Sequence, residues 1–413
     1  MTGQTNSDTK RRALLEGISV LDFSVSLMAP VTTRLLAAYG AEVIKVESIR
    51  QHEITRVSAP YKDNLVGVNR SLIFNANNTG KYGITLNLKH PRSGEIVNRL
   101  ITWADVIVEN FVPGAAKKFG LDYEHLQKAK PEVIVVDFSA QGLTGPYSKH
   151  PGYGFQILAL TCFSHFTGWP DREPAAPVGS YTDFLCPPLA VCAILSALDH
   201  RRLTGRGQHI DLSQLEISPH FFIPAILDYG ANGRVQIRCG NRSPYASPHG
   251  AYRCRGDDRW CVIAVCNEKE WEAFCKVIGS PEWARDPKFS TLLGRKSNED
   301  ELDRLVEAWT VSFVPEEVMN RMQAAGVAAG IVQTTEEMVN DPQLKHREHF
   351  EISKHPEVGS IICENPAFQL SKCKARWPRP APCLGEHNEF VYTKLLGIPD
   401  EEFAQLLNDG VFE

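Results

Sequence analysis

The sequence predicts an α/β protein: a doubly wound parallel sheet forming a large domain, and a smaller α+β domain. Three observations lead there. Short strand-like runs alternate with helical segments over the first 140 residues. Several of those runs have continuous apolar centres, such as V-I-V (106–108) and V-I-V-V (133–136), as in strands covered on both faces. After Glu216 the alternation stops, and a pattern of strand pairs and helices takes its place.

In chain order, residues 18–23 read as a strand and Thr32–Tyr39 as a helix closed by Gly40, a residue suited to the left-handed position after a helix. Glu42–Glu47 is the next strand, followed by an irregular polar stretch from about 48 to 80. Ile84–Leu88 is strand-like, and Pro91–Trp103 is a helix with proline at its start. Asp105–Glu109 is a strand, Pro113–Phe119 and Tyr123–Ala129 are short helices, and Glu132–Phe138 is a strand. The apolar run Leu189–Leu198 reads as a buried helix and Gly207–Ser213 as a strand. Ligands of open α/β sheets bind at the carboxyl ends of the strands. Those ends carry Ser24–Pro30, Ser48–Arg50, Asn110–Gly114 and Ser139–Gly145.

The expected organisation is a polar, disordered N-terminus (1–13), the first part of the large domain (14–216), a linker (217–245), the small domain (246–345) and a return to the large domain (346–413). In the small domain, 250–265 reads as two strands about a Gly-Asp-Asp turn, with helices at 268–278, 300–312 and 315–325. Residues 230–247 read equally as a loop covering a site or as a surface linker.

Composition excludes several functions. A net charge of −5 without a long basic run gives no reason to expect a nucleic-acid partner. No run approaches the roughly 20 apolar residues of a membrane span, and the polar N-terminus has no signal-peptide core. Eleven cysteines without a C-x-x-C pair read as thiols in a reducing cytoplasm rather than as a zinc or redox centre. His346 and His349 are three apart on an expected helix but have no third ligand, so no metal is expected. No G-x-G-x-x-G follows the first strand, where S-V-S-L-M-A-P (24–30) stands, so a dinucleotide-dependent oxidoreductase loses its main support.

Asp183 is the candidate for chemistry. It lies in P-V-G-S-Y-T-D-F-L-C-P-P (177–188), just before the buried apolar run. An acid there most often caps the helix. Pro187 and Pro188, however, fit the first turn of a helix starting near Cys186. That start leaves Asp183 as a loop carboxylate aimed near the positive helix end, ionised and open to a ligand.

Six fragments, in order, resemble the class III CoA-transferases: L-E-G-I-S-V-L-D-F (15–23), L-L-A-A-Y-G-A-E-V-I-K-V-E (35–47), V-E-N-F-V-P-G (108–114) with F-G-L-D-Y (119–123), G-L-T-G-P-Y (142–147), L-T-G-R-G-Q-H-I-D-L-S (203–213) and D-P-Q-L (341–344). The resemblance implies a Rossmann-like large domain made from both chain ends, an inserted small domain, and two interlocked subunits. It implies that Asp183 attacks the thioester of an acyl-CoA, with succinyl-CoA a candidate donor, to form a mixed anhydride and then an aspartyl-CoA thioester. CoA is then a substrate, with no tightly bound cofactor. The implied CoA contacts are Val25, Leu27, Glu47, Arg50, Lys118, Phe119 and Tyr147. Lys118 reads equally as a phosphate partner or a solvated helix lysine.

Departures from the formyl-CoA branch bear on the acceptor. Leu27 and Met28 are apolar where that branch is polar, and Phe163, Phe166 and Trp169 lie just before Asp183. These aromatics read either as core or as a wall for a larger, partly apolar acid, with aryl-substituted succinates such as benzylsuccinate among the candidates. The nearest rival is a 2-methylacyl-CoA racemase, which needs a second acid/base. That branch carries a histidine where Tyr153 stands here. A further rival is the inactive subunit of a heteromeric transferase, which Asp183 argues against.

Overall fold

The computed structural model describes residues 13–413; the expected disordered N-terminus therefore lies, except for its last residue, outside the described residues. The chain divides into two compact units. One comprises residues up to Phe163, Ala176–Arg234 and His346–Glu413; the other comprises Ser164–Ala175 and Val235–Lys345. Residues 164–175, expected with the large domain, thus belong to the second unit. Residues 217–234, expected as linker, belong to the first and contain the helix Ile223–Asn232.

The first unit is built on six parallel strands: β1 (Ser19–Asp22), β2 (Glu42–Glu47), β3 (Tyr82–Thr85), β4 (Val106–Glu109), β5 (Ile134–Ser139) and β6 (His209–Ser213), in the order β3-β2-β1-β4-β5-β6. This is the doubly wound arrangement the apolar runs predict. Strand order reverses between β1 and β4, which opens a crevice where ligands of such sheets bind. There Asn110 ties the two loops together: its Oδ1 accepts from Val25 N and its Nδ2 donates to Val25 O, both at 2.8 Å.

One face of the sheet (Leu21, Ile44, Ile84, Ile107, Val135) packs on Ser93–Trp103 and on the C-terminal segment, including Tyr392 and Phe412. The other face (Val20, Val43, Val106, Ile134, Val136) packs on Met28–Ala38 and on the long helix Tyr181–Thr204. The long helix is apolar and long enough to cross a membrane by length and composition alone, longer than the apolar run by itself indicates. Its residues Cys186, Ala190, Ile194 and Ala197, at intervals of four and three, are buried in the sheet-facing core.

Four local expectations change. The first helix starts at Met28, not Thr32, because Pro30 fits the first turn, where its missing N–H costs nothing. The third strand is Tyr82–Thr85 rather than 84–88, paired with β2 from Ile44 to Glu47. The irregular stretch 48–80 contains a helix, Leu72–Asn78, capped by Ser71. The helix carrying His346 ends there, and His349 follows the left-handed backbone of Glu348, so the two do not share a helix face.

Beneath the β1 loop lies a buried ionic cluster. Lys81 Nζ donates to Asp22 Oδ2 (2.9 Å), Pro30 O (2.9 Å) and Asn78 Oδ1 (2.8 Å). Burial pushes Lys81 down to about 8 even though Asp22 pulls it up. Burial alone would raise Asp22, but Lys81 and Lys45 outweigh it and hold the carboxyl well below its usual range. Lys45 and Glu53 fix the same loop through Ser24 O and Ser26 N (2.5 and 2.9 Å). Replacing Asp22 by asparagine should therefore cost about 3–5 kcal/mol, because Lys81 stays buried without its counter-charge. Denaturant unfolding of the variant against the parent checks this.

The second unit holds an antiparallel sheet of β7 (His249–Arg253), β8 (Trp260–Ala264) and β9 (Ala328–Ile331), in that order. Helices Glu268–Val277, Glu299–Thr310 and Pro315–Ala324 cover one face around Phe274, Leu302, Val306 and Met322. The tail of the first unit adds a hairpin, β10 (Phe350–His355) and β11 (Gly359–Glu364).

Candidate active site

Asp183 is not in a loop. The long helix begins at Tyr181, after the N-cap Ser180, so Asp183 is its third residue. The prolines that suggested a later start lie inside the helix. Having no N–H, Pro187 and Pro188 leave the carbonyls of Asp183 and Phe184 without their usual helical donors. The first turn is instead tied down by its own N-cap and by a neighbouring segment. Asp183 N donates to Ser180 O (2.8 Å), and Thr182 Oγ1 donates to Gly154 O (3.4 Å).

The Asp183 carboxylate is buried, at 8% exposure. Gln214 Nε2 donates to its Oδ1 at 2.6 Å and to Thr182 Oγ1 at 2.8 Å. Gln214 directly follows β6, so the carboxylate is held at the carboxyl edge of the sheet. Oδ2 lies against Gly154: a Cβ built there would stand 2.9 Å from Oδ2 and 2.6 Å from Ser180 Cβ. Burial raises the Asp183 pKa, opposed by the hydrogen bonds from Gln214 and Ser180. The group is thus partly desolvated, yet stabilised as an anion by two donors and the helix N-terminus. Cys186, one turn on, is pushed up to about 12 by burial and by Asp183, which leaves it a thiol rather than a competing nucleophile.

The aromatic residues divide. Phe163 packs edge-on against Tyr181 (5.7 Å) and Phe222 (4.5 Å), beside the first turn of the long helix. Phe166 and Trp169 belong to the second unit, where Gly240 comes close to the Trp169 ring. The three do not form a single cluster within one unit.

The expected CoA contacts all follow strand ends. Val25 is exposed and tied to Asn110; Leu27 is the half-buried N-cap of the first helix. Glu47 has both carboxylate oxygens on the Arg56 guanidinium (2.7 Å each), so its effect on a ligand runs through the fold rather than through a free carboxylate. Arg50 is exposed and pairs with Glu413. Lys118 is exposed on the short turn Ala116–Phe119, while Phe119 packs toward Phe111 (6.1 Å). Tyr147 is exposed, its ring 5.1 Å from that of His150. Tyr153, at the racemase position, is exposed at the start of the helix Gly154–Leu160. Among the described residues no group of three His, Cys, Asp or Glu is arranged to hold a metal ion.

Sequence reading missed Gly154, Ser180, Thr182 and Gln214. Gly154 had a signal, since it directly follows Tyr153, the position that divides this chain from the racemase branch. Gln214 had none, because 31 residues separate it from Asp183.

The structure thus sets a partly desolvated carboxylate at the carboxyl edge of a doubly wound parallel sheet, where ligands of such sheets bind. The chain belongs to CoA-transferase family III, whose pattern matches residues 15–388. It is a class III CoA-transferase, moving CoA between an acyl-CoA and a carboxylate. It is 32% identical to the succinyl-CoA–D-citramalate CoA-transferase of Chloroflexus aurantiacus, over 95% of this chain and 96% of that one. It is 31% identical to the succinate–glutarate CoA-transferase of Agrobacterium fabrum, over 93% and 96%. A solved CAIB/BAIF family protein from Brucella suis superposes with a TM-score of 0.86 at 31% identity, over 93% of this chain and all of that one. The racemase reading is not favoured by these relatives.

Proposed function

We propose that this enzyme takes CoA from succinyl-CoA and passes it to a free dicarboxylic acid through covalent intermediates on Asp183. The observation that carries the reading is the carboxylate itself. It is buried, held through Oδ1 by Gln214, and its other oxygen faces a residue without a side chain. Asp183 Oδ2 attacks the thioester carbonyl and the C–S bond breaks, releasing CoA thiolate and leaving a mixed anhydride. The thiolate attacks Asp183 Cγ, the donor acid departs, and an aspartyl-CoA thioester remains. The acceptor carboxylate then attacks Cγ and releases the thiolate, which takes the acyl group from the second anhydride. All three intermediates, two anhydrides and a thioester, are activated acyl groups, so no ATP and no bound cofactor enter the cycle.

CoA lies across the strand ends in this reading, near Val25, Leu27, Phe119 and Tyr147. Arg50 and Lys118 offer charge to its phosphates, and Glu47 fixes Arg56 beneath them. The succinyl donor is supported by the names of the two relatives, which carry succinyl-CoA in one case and succinate in the other. Tyr181, Phe163 and Phe222 beside the first turn of the helix support an acceptor with an apolar substituent, an aryl-substituted succinate such as benzylsuccinate. The apolar side chains exposed on Ile223–Asn232 (Ile223, Ile226, Leu227, Tyr229) support burial against a second subunit, the same chain or a related one, in an interlocked dimer. The cysteine usage supports a cytoplasmic location.

The test is a mass-spectrometric trap. Incubation with succinyl-CoA followed by borohydride or hydroxylamine and digestion should modify the peptide containing Asp183. An unmodified peptide, together with α-proton exchange on a branched acyl-CoA, would overturn the reading.

A further inference from the structure

Gln214 is built into the site more firmly than a carboxylate anchor requires. Its side chain is buried, and both N–H bonds of Nε2 are committed, to Thr182 Oγ1 (2.8 Å) and Asp183 Oδ1 (2.6 Å). A carboxylate only accepts, so the amide nitrogen must be the atom facing it. The backbone is fixed as well: Ser213 caps the turn through Glu216 N (3.3 Å), and Ser218 Oγ donates to Gln214 O (2.9 Å). Oδ2 faces Gly154, so the two oxygens of Asp183 stand in different surroundings.

We propose that Gln214 is a catalytic residue, whose Nε2–H stabilises the negative charge that gathers on Asp183 Oδ1 whenever the aspartyl carbonyl is attacked. This rests on the covalent route proposed above. When CoA thiolate adds to Cγ of the anhydride, the carbonyl electron pair moves onto Oδ1, then returns as the Cγ–Oδ2 bond breaks and the donor carboxylate leaves with Oδ2. When the acceptor carboxylate adds to Cγ of the thioester, the pair moves onto Oδ1 again and returns as CoA thiolate leaves. In both additions Oδ1 goes from a neutral carbonyl oxygen, a modest acceptor, to an oxyanion, a strong one. The hydrogen bond therefore strengthens toward the transition state and lowers the barrier. In the first step the sign reverses. There Asp183 is the nucleophile and loses charge, so the same bond weakens and gives no acceleration.

The opposite signs make the proposal separable from simple positioning. The enzyme is mixed with succinyl-CoA without acceptor, quenched in acid at short times, and its intact mass followed. The succinyl adduct reports attack by Asp183, and the CoA adduct reports attack on Asp183. Gln214→Met keeps the length and removes the donor. It should form the succinyl adduct at a rate near the parent's and the CoA adduct about 100- to 1000-fold more slowly, as for loss of one oxyanion donor. An undiminished CoA adduct, or equal slowing of both adducts, would overturn the proposal. If Gln214→Met does not fold, Thr182→Val, which removes one anchor of the amide, is read in the same way. Absence of both adducts in the parent enzyme would instead sink the covalent reading itself.

Discussion

Asp183→Ala and Asp183→Asn should each lower kcat by roughly 10⁴-fold or more, as expected when a nucleophile with no substitute is removed. Cys186 cannot stand in for it, since burial and Asp183 together keep it a thiol. Asp183→Glu should fail as well. One added methylene drives the carboxylate toward Gly154 and Ser180, where a Cβ on Gly154 would already stand 2.9 Å from Oδ2. Steady-state transfer from succinyl-CoA to glutarate or an aryl-succinate, with the mass-spectrometric trap as a second readout, checks all three. Loss of activity with retained CoA binding is the expected outcome; substantial activity in Asp183→Ala would move the nucleophile elsewhere. The acid limb of the parent's kcat/KM profile should lie above the usual aspartate range, since burial raises this carboxyl and attack needs it ionised.

Gly154→Ala is expected to be the most damaging change that leaves every ionisable group in place. The new methyl would meet Ser180 Cβ at 2.6 Å, Asp183 Oδ2 at 2.9 Å and Asp183 Cγ at 3.1 Å. Either the first turn of the long helix shifts or the carboxylate rotates off Gln214. Displacement of a reacting group by the order of 1 Å costs about 100-fold in rate, so kcat should fall by that order with little change in the KM for succinyl-CoA. Overpacking should also lower stability by about 1–3 kcal/mol, measurable by denaturant unfolding. An unchanged kcat would mean that Gly154 is not in the reacting geometry. Gly152→Ala is the comparison, because a Cβ there meets only Ala140 Cβ, at an ordinary 3.7 Å.

How much of this was legible follows from what kind of signal each residue leaves. Continuous apolar runs such as 106–108 and 133–136 gave the parallel sheet, because strands covered on both faces leave little polar period. The order of six family fragments gave the class of enzyme, and one of them, G-L-T-G-P-Y (142–147), leads toward the Gly154 segment. Asp183 stood out as an acid before a buried helix. Its place in the chain was misjudged: prolines ordinarily mark helix starts, yet Pro187 and Pro188 lie inside this one. The helical hydrogen bonds forgone there are a local cost that the packing of Thr182 and Ser180 around Gly154 offsets, and no local rule contains that packing. The same holds at Glu47: its place at a strand end gives no sign that Arg56, nine residues on, occupies both its oxygens.

The sequence by itself determined the fold class and the family and singled out Asp183 as the candidate carboxylate, because each depends on residue type and short-range periodicity. Only the tertiary structure decided what surrounds Asp183: Gln214 from the end of β6, Gly154 from a separate helix, and a carboxylate with one oxygen held and the other facing a glycine. Those contacts join segments about 30 residues apart. Close packing fixes them, and packing distances leave no mark on the spacing of residues along a chain.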